Sequence, residues 1–215
     1  MNLDVPRLTY QQIKQKAQNF LNTYHPSLEL PVPIEEIIEF EIGLNIYPFP
    51  NLYRTHRQNG FLSSDLTTIM VDEDQYKYYI PKYRFTLAHE LGHLVLHRKI
   101  YQRYTFSKIH EYIEWYKSIS NWDVDMLEWQ CDTFAGLILV PEETLISECK
   151  KTIGKYKKEI KKLISSNIEV WEIWSYLPNK IASVYDVNPP VVEIRIRNSR
   201  IDSKVDLIKL LEGCP

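Results

Sequence analysis

Residues 84–97 read RFTLAHELGHLVLH, and the reading of this stretch decides the fold. His89, Glu90, His93 and His97 stand among Phe85, Leu87, Ala88, Leu91, Leu94, Val95 and Leu96, which otherwise have the composition of a buried helix. Ionisable groups are costly to bury unless they are paired or bind a metal. In an α-helix positions i and i+4 share a face. His89 and His93 have that spacing, so their imidazoles can converge on one tetrahedral zinc at about 2.0–2.1 Å. Glu90 then lies beside the metal and not on it, placed to take a proton from a water. Pro81 suits the start of this helix, because its missing N–H has no partner in a first turn.

His97 continues the same face but is not expected to be a ligand. Eight residues of helix rise carry it ~12 Å from His89, too far for one metal on a straight helix. The longer HExxHxxGxxH arrangement is also excluded, since Leu96 and Lys99 stand where it needs Gly and His. The third ligand is therefore sought in residues 128–141, EWQCDTFAGLILVP, where Glu128 and Asp132 are again i and i+4 on a predicted helix. Two His and one Glu form a known type of catalytic zinc site, with an open position for water. Glu128 is the expected ligand. Asp132 is expected to hydrogen-bond the far nitrogen of a zinc-bound His, and the reverse assignment, with Asp132 on the metal, is the alternative. Cys131 is read as a small buried hydrophobe in preference to a soft ligand.

Working outward, Ile13, Ala17, Phe20, Leu21 and Tyr24 mark a helix over 8–24. Pro31 and Pro33 interrupt the chain before a short acidic helix, IEEIIEFEIG, which ends at Gly43. LNIYPF reads as a strand, and residues 60–72 as two short strands about a turn near Ser64 and Asp65. DEDQYKYYIP reads as a loop, and residues 101–124 receive no assignment. A helix is expected from Asp125 to about Val140, with Pro141 stopping it and opening another. Residues 150–162 hold seven Lys against one Glu, which reads as a solvated helix face. After IASVYDV, Asn188-Pro189-Pro190 outlines a helix-turn-helix whose second helix bears Arg195, Arg197 and Arg200. The pattern Val191, Ile194, Ile196 and Ile201 reads there as buried, and with a net charge of −2 direct nucleic-acid binding is not expected.

The three cysteines, Cys131, Cys149 and Cys214, are odd in number and form no CxxC pair, which argues against a disulfide framework. No signal-peptide pattern opens the chain, and the longest apolar run, FAGLILVP, is too short to span a bilayer. A cytoplasmic protein with no membrane partner is the expectation.

RFTLAHELGHLVLH followed by EWQCDTFAGLILVP resembles the ImmA/IrrE family of metallo-endopeptidases, which are HExxH zinc peptidases of a gluzincin-like kind. Glu128, Cys131, Asp132, Phe134, Ala135 and Pro141 fall in step with the family's second helix motif. Gln130 stands where the family often has a second Glu, Cys131 where it has Ala, and Val140 where it has Met. PVPIEEIIEFEIGLNIY and IASVYDVNPPVVEIRI extend the likeness over roughly residues 8–200. The resemblance implies a Zn2+-dependent endopeptidase of bacteria, phages or mobile elements. It would act on an intracellular protein, a helix-turn-helix repressor, as an anti-repressor. The competing expectation is a zinc-containing regulatory protein that relieves repression by binding its partner without cutting it. The expected fold is α+β: a mostly helical zincin-like domain over residues 1–165, with core motifs at 84–141 and a small N-terminal β-sheet packed on the HExxH helix. A helical, helix-turn-helix-like segment would follow over 166–215. Glu90 is the expected general base and His89, His93 and Glu128 the expected metal ligands.

Overall fold

Thr9 opens the first helix, α1 (Tyr10–Tyr24), with a capping box: its side chain accepts from the Gln12 amide, and the Gln12 side chain accepts in return from the Thr9 amide. The architecture is that of a computed structural model, which describes residues 3–106 and 108–212. Cys214, to which the sequence assigns no role, lies outside them. By packing, the chain divides after Leu139 into two compact units. The division expected from the sequence falls at residue 165.

In the first unit, one α-turn, α2 (Ile34–Glu36), widens into a π-helix over Ile37–Ile42. Strand β1 (Asn45–Phe49) leads through α3 (Leu52–His56) to β2 (Gly60–Leu62) and β3 (Thr68–Asp72). The sheet order is β1-β3-β2, with β1 parallel and β2 antiparallel to β3. The segment read as a loop after Asp72 is instead a helix, α4 (Glu73–Tyr78). Its cap is Asp72, whose carboxylate accepts from the Gln75 amide at 3.2 Å, and Glu73 and Asp74 complement the dipole of its first turn. The aromatic run obscured that signal.

Helix α5 (Ile80–Tyr101) carries the opening motif, and the sheet packs on it through β2 and β3. Its start is anchored by Arg84, whose guanidinium donates to the Val32 carbonyl at 2.6 Å. The unassigned stretch contains α6 (Ile109–Ser118), which closes an aromatic cluster: Phe61 stacks on Tyr112 at 4.8 Å, and Trp115 meets Tyr101 at 5.6 Å. Helix α7 (Asn121–Leu139) starts four residues before Asp125, because the Ser120 hydroxyl accepts from the Asp123 amide at 3.2 Å and caps it there.

Helices α5 and α7 make the most extensive helix–helix contact of the unit. They meet at Gly92, where an added Cβ would lie 3.1 Å from Cys131 Cα and 3.3 Å from its Cβ and Sγ. Gly92→Ala therefore sets a methyl against the α7 backbone, and overpacking of this kind, about 1–3 kcal/mol, is expected to outweigh the ~1 kcal/mol that alanine gains in helix propensity. The variant should unfold at lower urea and several degrees lower in temperature than the parent.

The second unit contains α8 (Glu142–Lys155), α9 (Lys157–Ser165), α10 (Val170–Tyr185), α11 (Pro189–Asn198), α12 (Ile201–Lys204) and α13 (Leu207–Glu212). Arg195, borne by the second helix of the outlined helix-turn-helix, is buried and donates from Nε to the Val140 carbonyl at 3.1 Å. Ile194, read as core, is 46% exposed, because it falls on the solvent side of α11 while Val192 and Ile196 take the inner side. Among the described residues no helix is long and apolar enough to cross a membrane. The fold is thus mostly helical α+β, with one small sheet.

Candidate metal centre

The contact of α5 with α7 brings together two sets of side chains spaced one turn apart on each helix. His89 Nε2 lies 3.2 Å from Glu128 Oε2, and His93 Nε2 lies 3.9 Å from Glu128 Oε1. Donors bound at about 2.0–2.2 Å to one tetrahedral ion stand ~3.4 Å apart, so each imidazole lies from the Glu128 carboxylate at about the spacing that a shared zinc ion requires. Asp132 is on the other side of the His89 ring, with Oδ1 2.8 Å from Nδ1. A carboxylate only accepts, so Nδ1 donates and Nε2 is left to face Glu128. Asp132 thus stands behind His89 while Glu128 faces both imidazoles.

His97 is buried, with Nδ1 3.3 Å from His93 Nδ1 and Nε2 3.2 Å from Gln130 Oε1. It points along α5 away from Glu128. Cys131 Sγ lies near the imidazoles as well; one ligand atom each of His89, His93 and Cys131 fall within 4.8 Å of one another. Two acid-derived donors therefore compete for the third position, and chemistry separates them. Burial pushes the Cys131 thiol well above its ordinary pKa, and a thiol must lose its proton to bind. Glu128 is already ionised: burial opposes its charge, but the His89 hydrogen bond, both imidazoles and the Tyr116 hydroxyl outweigh burial and hold it down to about 2. The carboxylate is the better donor.

Burial likewise opposes protonation of His89, but hydrogen bonds to Asp132 and Glu128 prevail and raise its pKa well above the usual value. His93, buried and beside His89, is held well below it. Glu90 is 5% exposed and its Oε2 has no hydrogen-bond partner among the described residues. Burial raises its pKa to about 7, with the charge on His89 opposing the rise. An ionisable oxygen left bare beside three convergent donors fits a site that holds a cation and a water.

That bare carboxyl has a consequence for the metal-free protein. The folded pKa is raised from 4.5 to about 7, so the folded state keeps the proton to higher pH than the unfolded chain does. The contribution to stability is present below pH ~4.5 and is lost as pH rises towards 7, by about 3 kcal/mol at most. Chelator-treated protein should lose stability relative to Glu90→Gln across that window, read by urea unfolding at pH 4.5 and pH 7.5.

His89, Glu90, Glu128 and Asp132 line an open cleft of about 360 Å³ together with Arg57, Asn59, Gly60 and Tyr116. Tyr78, Tyr79, Tyr83, His56 and His110, each able to donate to a developing oxyanion, do not line it. Tyr116 does, and its hydroxyl donates to Glu128 Oε1 at 3.0 Å. No local signal marks Tyr116, which lies in the stretch that resists assignment. Gly60 lets β2 pass over α5: a Cβ there would meet Thr86 Cγ2 at 2.7 Å, the Met70 carbonyl at 2.8 Å and Glu90 Cγ at 3.4 Å. The Leu62 amide donates to the Glu90 carboxylate from the same strand.

The family model of the IrrE N-terminal-like domain, Peptidase_M78, matches residues 80–197, which include α5, α7 and every candidate ligand. No curated protein matches the chain.

Proposed function

The chain belongs to the IrrE N-terminal-like family, Peptidase_M78, a metallopeptidase family, and on that premise we propose that it is a zinc-dependent endopeptidase. His89 Nε2, His93 Nε2 and a Glu128 oxygen would hold the ion. The observation that carries this is their convergence at 3.2 and 3.9 Å next to a buried Glu90 oxygen that has no partner. Zinc, when bound, supplies a Lewis acid that polarises the scissile carbonyl and brings the pKa of a water towards 7.

Glu90 accepts the proton of the attacking water and passes it to the leaving amine. Burial raises the pKa of Glu90 in the metal-free chain, which makes it a stronger base than an exposed carboxylate. Asp132 orients His89 and raises its basicity through the 2.8 Å hydrogen bond. Strand β2 is at an end of the sheet, paired with β3 alone among the described residues. Its other side faces Glu90, and an extended peptide can add there as a further strand. Gly60 keeps that strand close to the carboxylate.

The substrate in this reading is an intracellular protein, a helix-turn-helix repressor of a phage or mobile element, and the enzyme acts in the cytoplasm as an anti-repressor. The resemblance of RFTLAHELGH and its partner helix to ImmA/IrrE enzymes supports that choice. Arg195, turned inward to Val140, is withdrawn from any nucleic-acid face, which favours a protein partner over DNA. The test is incubation of the zinc-loaded chain with a repressor encoded beside it, followed by mass spectrometry of the products. A single cut that stops with a zinc chelator and returns with zinc is the expected result. Relief of repression with the repressor left intact would overturn it in favour of docking alone.

A further inference from the structure

Two buried polar residues have no task in this mechanism: His97, 1% exposed, and Gln130, 0% exposed. Both belong to one chain of hydrogen bonds that runs from the backbone of the N-terminal arm to His93. Gln130 Nε2 lies 2.7 Å from the Pro6 carbonyl oxygen, and Gln130 Oε1 lies 3.2 Å from His97 Nε2. His97 Nδ1 lies 3.3 Å from His93 Nδ1.

Only one arrangement of hydrogens satisfies every link. The Pro6 carbonyl accepts and cannot donate, so the group of Gln130 that faces it is the NH2. The opposite flip would set two oxygens 2.7 Å apart. The side-chain oxygen of Gln130 is thereby turned to His97, and His97 Nε2 must carry the hydrogen that it accepts. His97 is buried, and its ring partners among the described residues are Gln130, His93 and Cys131, none of them a carboxylate, so an imidazolium there would be an uncompensated buried charge and the ring is neutral. A neutral imidazole has one N–H, so His97 Nδ1 is bare and accepts. The hydrogen on the His97–His93 contact therefore belongs to His93 Nδ1. With hydrogen on Nδ1, the lone pair by which His93 can bind a cation is on Nε2, the nitrogen that faces Glu128. Cys131 Sγ, 3.5 Å from His97 Nδ1, adds a weak S–H donor to the same bare nitrogen and leaves the order unchanged.

We propose that Gln130 and His97 are positioning residues, which set the tautomer and orientation of His93 so that its Nε2 lone pair is presented to the divalent cation. The proposal rests on the reading that His93 is a ligand. The two imidazoles of the centre are then oriented by different means. His89 leans on a carboxylate, Asp132, and its hydrogen bond is charge-assisted. His93 leans on a neutral imidazole and an amide whose direction is set by a backbone carbonyl more than a hundred residues away in sequence. With the opposite order of hydrogens, His93 would present an N–H to the cation, and binding would first have to break the chain.

The test uses the full chain labelled with 15N-histidine, observed by long-range 1H–15N correlation in zinc-loaded and chelator-treated protein. Hydrogen at His97 Nε2 and at His93 Nδ1 is the expected result in both. Hydrogen at His97 Nδ1, or at His93 Nε2, overturns the proposal. Zinc content of the same samples is measured separately, so failure of the metal centre and failure of the hydrogen-bond chain are told apart. A second measurement uses Gln130→Leu, which removes the acceptor without touching His93. His97 should then populate both tautomers, and zinc affinity measured by competition with a chromogenic chelator should fall about 10–100-fold. A variant with one His97 tautomer and parental affinity would show that Gln130 only fills space.

Discussion

Glu90→Gln is expected to lower peptide-bond cleavage by about 10²–10⁴-fold and to leave zinc binding intact. The amide has nearly the shape of the carboxylate, so the packing around it is kept, including the close passage of Gly60, whose added Cβ would lie 3.4 Å from Glu90 Cγ. What disappears is an oxygen able to take a proton. The proposed ligands are His89, His93 and Glu128, whose nitrogens and carboxylate lie 3.2 and 3.9 Å apart, and Glu90 is not one of them. The variant also removes the burial cost of a carboxyl whose pKa stands at about 7, so it should be no less stable than the parent at neutral pH. Retained zinc with lost turnover separates a proton-transfer role from a ligand role. Loss of both together would reassign Glu90 to the metal.

Glu128→Ala is expected to weaken zinc binding by more than about 10²-fold, beyond the effect of removing a group that only supports a ligand. The carboxylate lies against both Nε2 atoms and is ionised far below neutral pH, so no proton has to be displaced when a cation arrives. Cys131→Ala is the control. Its thiol is fully buried and hard to ionise, and zinc affinity should stay within a few-fold of the parent. Equilibrium competition with a chelator reads both variants. The opposite ranking would transfer the third position to the sulfur, consistent with its place within 4.8 Å of the imidazoles. In the same assay Tyr116→Phe should act weakly on affinity, since its hydroxyl supports one Glu128 oxygen at 3.0 Å and does not supply a donor to the ion.

The helix that carries His89, Glu90 and His93 is legible because its signal is local: a histidine pair one turn apart in an apolar run after a proline. The same holds for the Glu128 and Asp132 spacing. The helix over Glu73–Tyr78 is missed because Asp72, its cap, also reads as the end of a strand, and it does end β3. The stretch before Asp125 is missed for a different reason. Helix α6 is held by rings that meet Phe61 and Tyr101 from elsewhere in the chain, and such contacts leave no period in the sequence.

Sequence alone determined which donors are available and that they come in pairs one helical turn apart, because α-helical geometry repeats within a few residues. Which donor meets which nitrogen was decided by tertiary structure. Glu128, Cys131 and Asp132 lie on neighbouring parts of one helix surface, and only the rotation of α7 as it closes on Gly92 turns the carboxylate of Glu128 to both Nε2 atoms and Asp132 to the back of His89. Pro6, Gln130, His97 and His93 form a single hydrogen-bonded line for the same reason. Their order depends on how separate elements pack, and no spacing along the chain encodes it.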